Sequence, residues 1–109
     1  MRILIVALLV LTLSAMAGDF VSGSTACPSS GAVQVSSNTY NLYELTVSAN
    51  IANTGKIYLG GTTVNTSSGG VLVPGASYTA TKPSAGVNPK TLYFACSVNT
   101  DGITWIGSR

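Results

Sequence analysis

The sequence predicts an all-β protein: one antiparallel β-sandwich, jelly-roll or immunoglobulin-like, of about seven short strands. Three observations predict it. Short segments alternate apolar and polar residues with the period of two that a half-buried strand requires. Clusters of Gly, Pro, Asn and Ser separate those segments at the spacing of an all-β domain. Beyond residue 17, no stretch places apolar residues on one stripe of an α-helix.

A chain of 109 residues holds one domain. Residues 1–17 read as a signal peptide, 18–30 as an irregular lead-in and 31–109 as the β-sandwich. Arg2 gives the first segment its basic start, Ile3 to Leu11 its apolar centre, and Ala15-Met16-Ala17 its small-residue cleavage signal. The alternative is an uncleaved anchor, for which the apolar run is short against the ~20 residues of a membrane span. No Cys follows Ala17 directly, so a lipid-anchored lipoprotein is not indicated.

Along the rest of the chain, Gly31 to Ser37 alternates as a strand. Tyr40 to Ala49 is the longest strand expected, with Tyr43, Leu45, Val47 and Ala49 on one face. Asn50 to Gly55 is a turn, Lys56 to Leu59 a short strand, and Thr62 to Val64 another. Val71 to Val73 ends at the turn dipeptide Pro74-Gly75, and Ser77 to Thr81 forms the next strand. Lys82 to Pro89 is a loop. Thr91 to Val98 is a strong strand with Leu92, Phe94, Cys96 and Val98 on one face; Tyr43 and Phe94 have the best core registers. Asn99 to Gly102 then reads as a hairpin turn with Gly102 at positive φ, returning the chain antiparallel through Ile103 to Ile106.

Charge and cysteine content narrow the function. Charged residues make up 7% of the chain and the net charge is +2, with Lys56, Lys82, Lys90 and Arg109 dispersed. No basic patch for nucleic acid is visible. Cys27 and Cys96 form an even pair, which in an exported chain reads as a disulfide. Free thiols are the alternative; a structural zinc site is disfavoured because it needs four ligands and His is absent.

The absence of His excludes Ser-His-Asp and Cys-His nucleophile systems. Beyond the signal segment the carboxylates are Asp19, Glu44 and Asp101, placed in the lead-in, a strand and a turn, so paired-carboxylate chemistry has no support. Gly60-Gly61 and Gly69-Gly70 precede no helix and are turn glycines rather than phosphate loops. Catalytic residues, metal ligands and cofactors are therefore not expected. The candidate binding aromatics are Tyr58, Tyr78, Tyr93 and Trp105, residue types that stack on sugars or anchor protein partners; Trp105 is equally suited to plugging the core. Asn65-Thr66-Ser67 matches a glycosylation sequon, relevant only in a eukaryotic secretory pathway.

The run Asn53-Thr54-Gly55-Lys56-Ile57-Tyr58-Leu59-Gly60-Gly61 is followed by Val64 and by Gly70-Val71-Leu72-Val73-Pro74-Gly75. Leu92-Tyr93-Phe94-Ala95 and Ile103-Thr104-Trp105-Ile106 come later. In that order, from Tyr40 to the C-terminus, the chain resembles small β-sandwich modules of tailed-phage and prophage virion structural proteins, of head-fibre or decoration type. The resemblance implies a non-catalytic structural or binding domain on a virion surface, or a phage-derived accessory protein. Such virion proteins assemble in the cytoplasm and normally carry neither a signal peptide nor a disulfide, a departure in this chain. Two alternatives stand beside that reading: a secreted carbohydrate- or cell-surface-binding module, and an exported inhibitor or effector of a host protein. The partners expected are a protein or a second copy, or a surface glycan, with no nucleic acid and no stable membrane span once the signal is removed. The expected location is secreted or periplasmic, with the virion as alternative.

Overall fold

The computed structural model describes residues 19–82 and 86–109. The signal peptide, its cleavage point and the anchor alternative lie outside them. Eight strands follow one another: β1 (Phe20–Ala26), β2 (Val33–Gln34), β3 (Glu44–Ala49), β4 (Ile57–Gly60), β5 (Gly70–Leu72), β6 (Ser77–Thr81), β7 (Tyr93–Cys96) and β8 (Gly102–Ser108). A 3-10 turn, Pro89–Thr91, precedes β7; the Asn88 side chain caps it by accepting from the Lys90 N–H.

The strands form two antiparallel sheets with the orders β1-β8-β3-β6 and β2-β7-β4-β5. The pairs β1·β8, β2·β7, β3·β6 and β4·β5 are nested, as though one long antiparallel ribbon had been rolled up. That nesting is the eight-stranded jelly roll, the first of the two arrangements expected.

The core lies between the sheets because alternation aims one face of each strand there. In β3, Leu45, Val47 and Ala49 are buried while Glu44 is exposed. Their neighbours on the inner face are Ile103 and Trp105 of β8, and the facing sheet supplies Ile57, Leu59, Leu72 and Phe94. Phe94 is the largest of the fully buried side chains. Two close approaches need a residue without Cβ. A Cβ on Gly23 would lie 2.9 Å from the Trp105 indole nitrogen, and one on Gly107 would collide with Leu42.

Several expectations are corrected. The lead-in is not irregular: it contains β1, which pairs with β8 over its whole length and moves the start of the sandwich to Phe20. Thr62 to Val64 is a turn rather than a strand, although Val64 is buried. Tyr43 is 67% exposed, because β3 begins one residue later and the inward alternation does not extend to it. The segment after β7 is not a hairpin. It crosses to the other sheet, where β8 inserts between β1 and β3. Gly102 does not have positive φ; it is required because a Cβ would press on the Thr25 carbonyl and the Asn50 side chain, at 3.1 and 3.2 Å. Pro74-Gly75 does form the corner expected of it, with Gly75 at φ 84° and the Ala76 N–H donating to the Val73 carbonyl at 2.9 Å.

The Cys27–Cys96 disulfide is present and links the two sheets, joining the exit of β1 to the end of β7 with Cα atoms 6.0 Å apart. Beside it, a polar staple ties the β3–β4 connection to the β7–β8 connection. The Asp101 carboxylate accepts from the Gly55 N–H at 2.8 Å and the Thr54 N–H at 3.0 Å. The Asn53 side chain exchanges two hydrogen bonds with the Gly102 backbone, at 2.9 and 3.0 Å, imitating one rung of a β-ladder.

Candidate functional site

The aromatics singled out from the sequence go to three places. Trp105 lies on the inner face of β8, 6% exposed, with the Tyr40 ring 5.8 Å away, so it is a core residue and presents no ring to a ligand. Tyr58 and Tyr93 are half-buried on the outer face of the β2-β7-β4-β5 sheet. Tyr58 stands opposite Ala95, and Tyr93 opposite Gly60, so the two tyrosines are diagonal neighbours on adjacent strands. Val71 and Gln34 flank them in register. Tyr78 is on β6, at the opposite sheet's edge.

Tyr78 belongs to a cleft of about 450 Å³ between the free edges of β5 and β6. Leu59, Leu72 and Leu92 form its floor, Val71 and Tyr78 its rim, and Ser77 its polar lip. Tyr78 has an inward register opposite Val47, yet is 49% exposed because, among the described residues, β6 is the edge of its sheet. The rim continues onto the adjoining turns. Val71 and Val73 are 52% and 51% exposed, and Ile51 is 87% exposed beside Gly75. Among the described residues, four of the seven large exposed apolar side chains therefore meet at the β5–β6 corner.

That corner was not singled out from the sequence, although a signal for it exists. Val71-Leu72-Val73 is three apolar residues in a row running off the end of β5, and a pleated strand can turn only alternate ones inward. Leu72 is buried and both valines face out.

The other sheet's outer face is chemically different. Ser22, Ser24, Thr46, Ser48, Thr79 and Thr104 spread hydroxyls across four strands, with Phe20 and Ile106 exposed among them. Thr46 and Thr79 share a hydrogen bond at 2.9 Å, and Ser48 and Ser77 one at 2.7 Å. This face explains how a surface with few charges remains hydrated.

The carboxylates are positioned for structure. Asp101 is buried and committed to the Thr54–Gly55 backbone, while Asp19 faces Arg109 at 3.6 Å in an exposed pair worth little. Among the described residues, no three His, Cys, Asp or Glu side chains gather as a metal site, and no helix is long and apolar enough to cross a membrane.

Fold and site define a class: a one-disulfide jelly-roll domain with an apolar corner on one open side. Compared with known protein families, curated proteins and solved structures, the chain matches none of them. The likeness to virion modules rests on the sequence motifs alone.

Proposed function

We propose that this chain is a non-catalytic structural or binding domain of an exported or virion-surface assembly, and that it docks on a larger protein through the β5–β6 corner. One observation carries the reading: Val71 and Tyr78 line an apolar cleft, and Val73 and Ile51 stand exposed at the turns beside it. An exposed apolar cluster with a polar surround is the usual mark of a contact surface. The disulfide fits passage through an oxidising compartment, and the signal-like residues 1–17 support export.

The test is a paired substitution, Val71→Asp with Val73→Asp, at positions that are half exposed and outside the buried core. In native material treated with a mild cross-linker, the wild-type chain is expected in a discrete larger assembly. The variant is expected to fall out of it by at least about tenfold, as for loss of an interface anchor. Equal recovery of the two proteins, or turnover by the wild type on a broad hydrolase panel, would overturn the reading.

The diagonal pair Tyr58 and Tyr93 favours a second reading, a glycan-binding face on the other sheet surface. There, Tyr58→Ala and Tyr93→Ala are expected to abolish glycan-array signals given by the wild type while its melting curve stays unchanged. A blank array for the wild type removes this second reading.

A further inference from the structure

The corner combines a pocket with an open strand edge. The Ala49 N–H donates to the Ala76 carbonyl at 2.9 Å and the Ala49 carbonyl accepts from the Gly75 N–H at 3.0 Å, so both backbone groups of Ala49 bond towards the β6 side. Bonded and non-bonded pairs alternate along an antiparallel ladder, so Val47–Tyr78 and Leu45–Ala80 are bonded pairs, whereas Ser48–Ser77, Thr46–Thr79 and Glu44–Thr81 are not. The hydroxyl contacts of Ser48 with Ser77 and Thr46 with Thr79 agree, because side chains approach most closely at non-bonded pairs. The N–H and C=O groups of Ser77, Thr79 and Thr81 therefore point away from β3, to the free edge.

Edges of this kind are commonly blocked by charge, proline or a bulge. β6 has none of these in its five residues, Ser-Tyr-Thr-Ala-Thr. β2 and β5 are only two and three residues long. β1 is longer and uncharged, but it is β6 that borders the cleft.

We propose that β6 accepts an extended segment of a partner polypeptide as a fifth strand of its sheet, and that one apolar side chain of that segment enters the cleft. This rests on the docking reading above and specifies its partner. Main-chain bonds to Ser77, Thr79 and Thr81 supply affinity, and the pocket selects the side chain, the two parts of recognition by strand addition. The cleft fixes the chemistry. Among the described residues its lining carries no carboxylate, amine or guanidinium, so a charged side chain entering it would be desolvated with nothing to compensate, whereas an apolar one meets Leu59, Leu72 and Leu92.

The probe is a heptapeptide of alternating threonine and valine with a central leucine, acetylated and amidated at its ends, titrated into the oxidised ¹⁵N-labelled protein. Amide shifts and slowed hydrogen exchange are expected at Ser77, Thr79 and Thr81. Thr79→Pro removes an outward N–H without touching the β3 ladder and is expected to abolish binding. Gly70→Leu, at a position with open space around its Cβ on the cleft lining, is expected to weaken binding at least about tenfold by filling the pocket. The same peptide with alternate amides N-methylated, expected not to bind, gives a readout that needs no protein variant. Absence of binding, shifts centred elsewhere, full binding by Thr79→Pro or by the N-methylated peptide, or concentration-dependent protection of β6 by a second copy without peptide overturns strand addition. If the peptide fails while the corner substitutions still release the chain from its assembly, strand addition is wrong and the docking reading survives.

Discussion

Replacing Cys27 and Cys96 together by serine is expected to lower the unfolding free energy by about 4 kcal/mol. The bridge spans 69 positions in the sequence, so it removes much of the unfolded chain's freedom, in proportion to the logarithm of the loop it closes. Its place in the fold adds to the effect. Among the described residues β1 is an edge strand paired with β8 alone, and the disulfide at its exit ties it covalently to the opposite sheet. Cys27 is buried in the core cluster and Cys96 packs against it, so two serines there also introduce hydroxyls into an apolar setting. Domains of this size are stable by roughly 5–15 kcal/mol, which makes the bridge a large fraction of the total. Urea unfolding of the oxidised protein, the reduced protein and the double variant measures it. Both thiol-free and reduced forms are expected to melt at clearly lower urea, with β1 amides losing exchange protection first. A shift of less than ~1 kcal/mol would mean that the jelly roll holds β1 without the bridge.

The parts of the fold legible in the sequence were those decided by local alternation. Leu45, Val47 and Ala49 against Glu44, Thr46 and Ser48 declared β3, and Phe94 declared its burial in β7, because a two-residue period leaves one reading for which side faces the core. β1 was not legible. Its inward positions are Val21, Gly23 and Thr25, and only the first is apolar. Gly23 is there because the Trp105 indole occupies the space of its missing side chain, and the Thr25 hydroxyl donates to the Val35 carbonyl at 2.7 Å. Both reasons belong to residues outside the strand itself. The β7–β8 connection failed for a similar cause. Asn, Thr, Asp and Gly suit a hairpin and an inter-sheet crossing equally, and the choice is made by partners on the β3–β4 connection. Among the candidate aromatics, composition could nominate Tyr58, Tyr93 and Trp105 but could not sort them by face. Registers place Tyr58 and Tyr93 outside and Trp105 inside.

Asp101 shows how a residue read as ordinary turn chemistry becomes a tertiary contact. Asp101→Ala is expected to cost about 3 kcal/mol, from two hydrogen bonds to an ionised acceptor and from the Thr54 and Gly55 N–H groups left without a partner. Asp101 is only 7% exposed and a Cβ on Gly55 would lie 2.8 Å from Val98 and collide with Ser97, while the open cleft of about 320 Å³ lined by Asn53, Asp101 and Gly102 admits water beside the carboxylate and limits the loss. Asp101→Asn separates the two roles. Asn and Asp are near equivalents in a simple turn, so a turn-only role predicts little change. In the staple, each carboxylate oxygen accepts from a different N–H, and an amide replaces one acceptor with a donor that faces another donor. Asp101→Asn is therefore expected to lose roughly 1–3 kcal/mol despite its matching shape. It is also expected to raise hydrogen exchange at Thr54 and Gly55 selectively. Urea melts of the two variants beside the wild type provide the comparison. An Asn variant as stable as the wild type would return Asp101 to the status of a turn residue and leave the Cys27–Cys96 bridge and the Asn53–Gly102 pair to hold this end of the sandwich together.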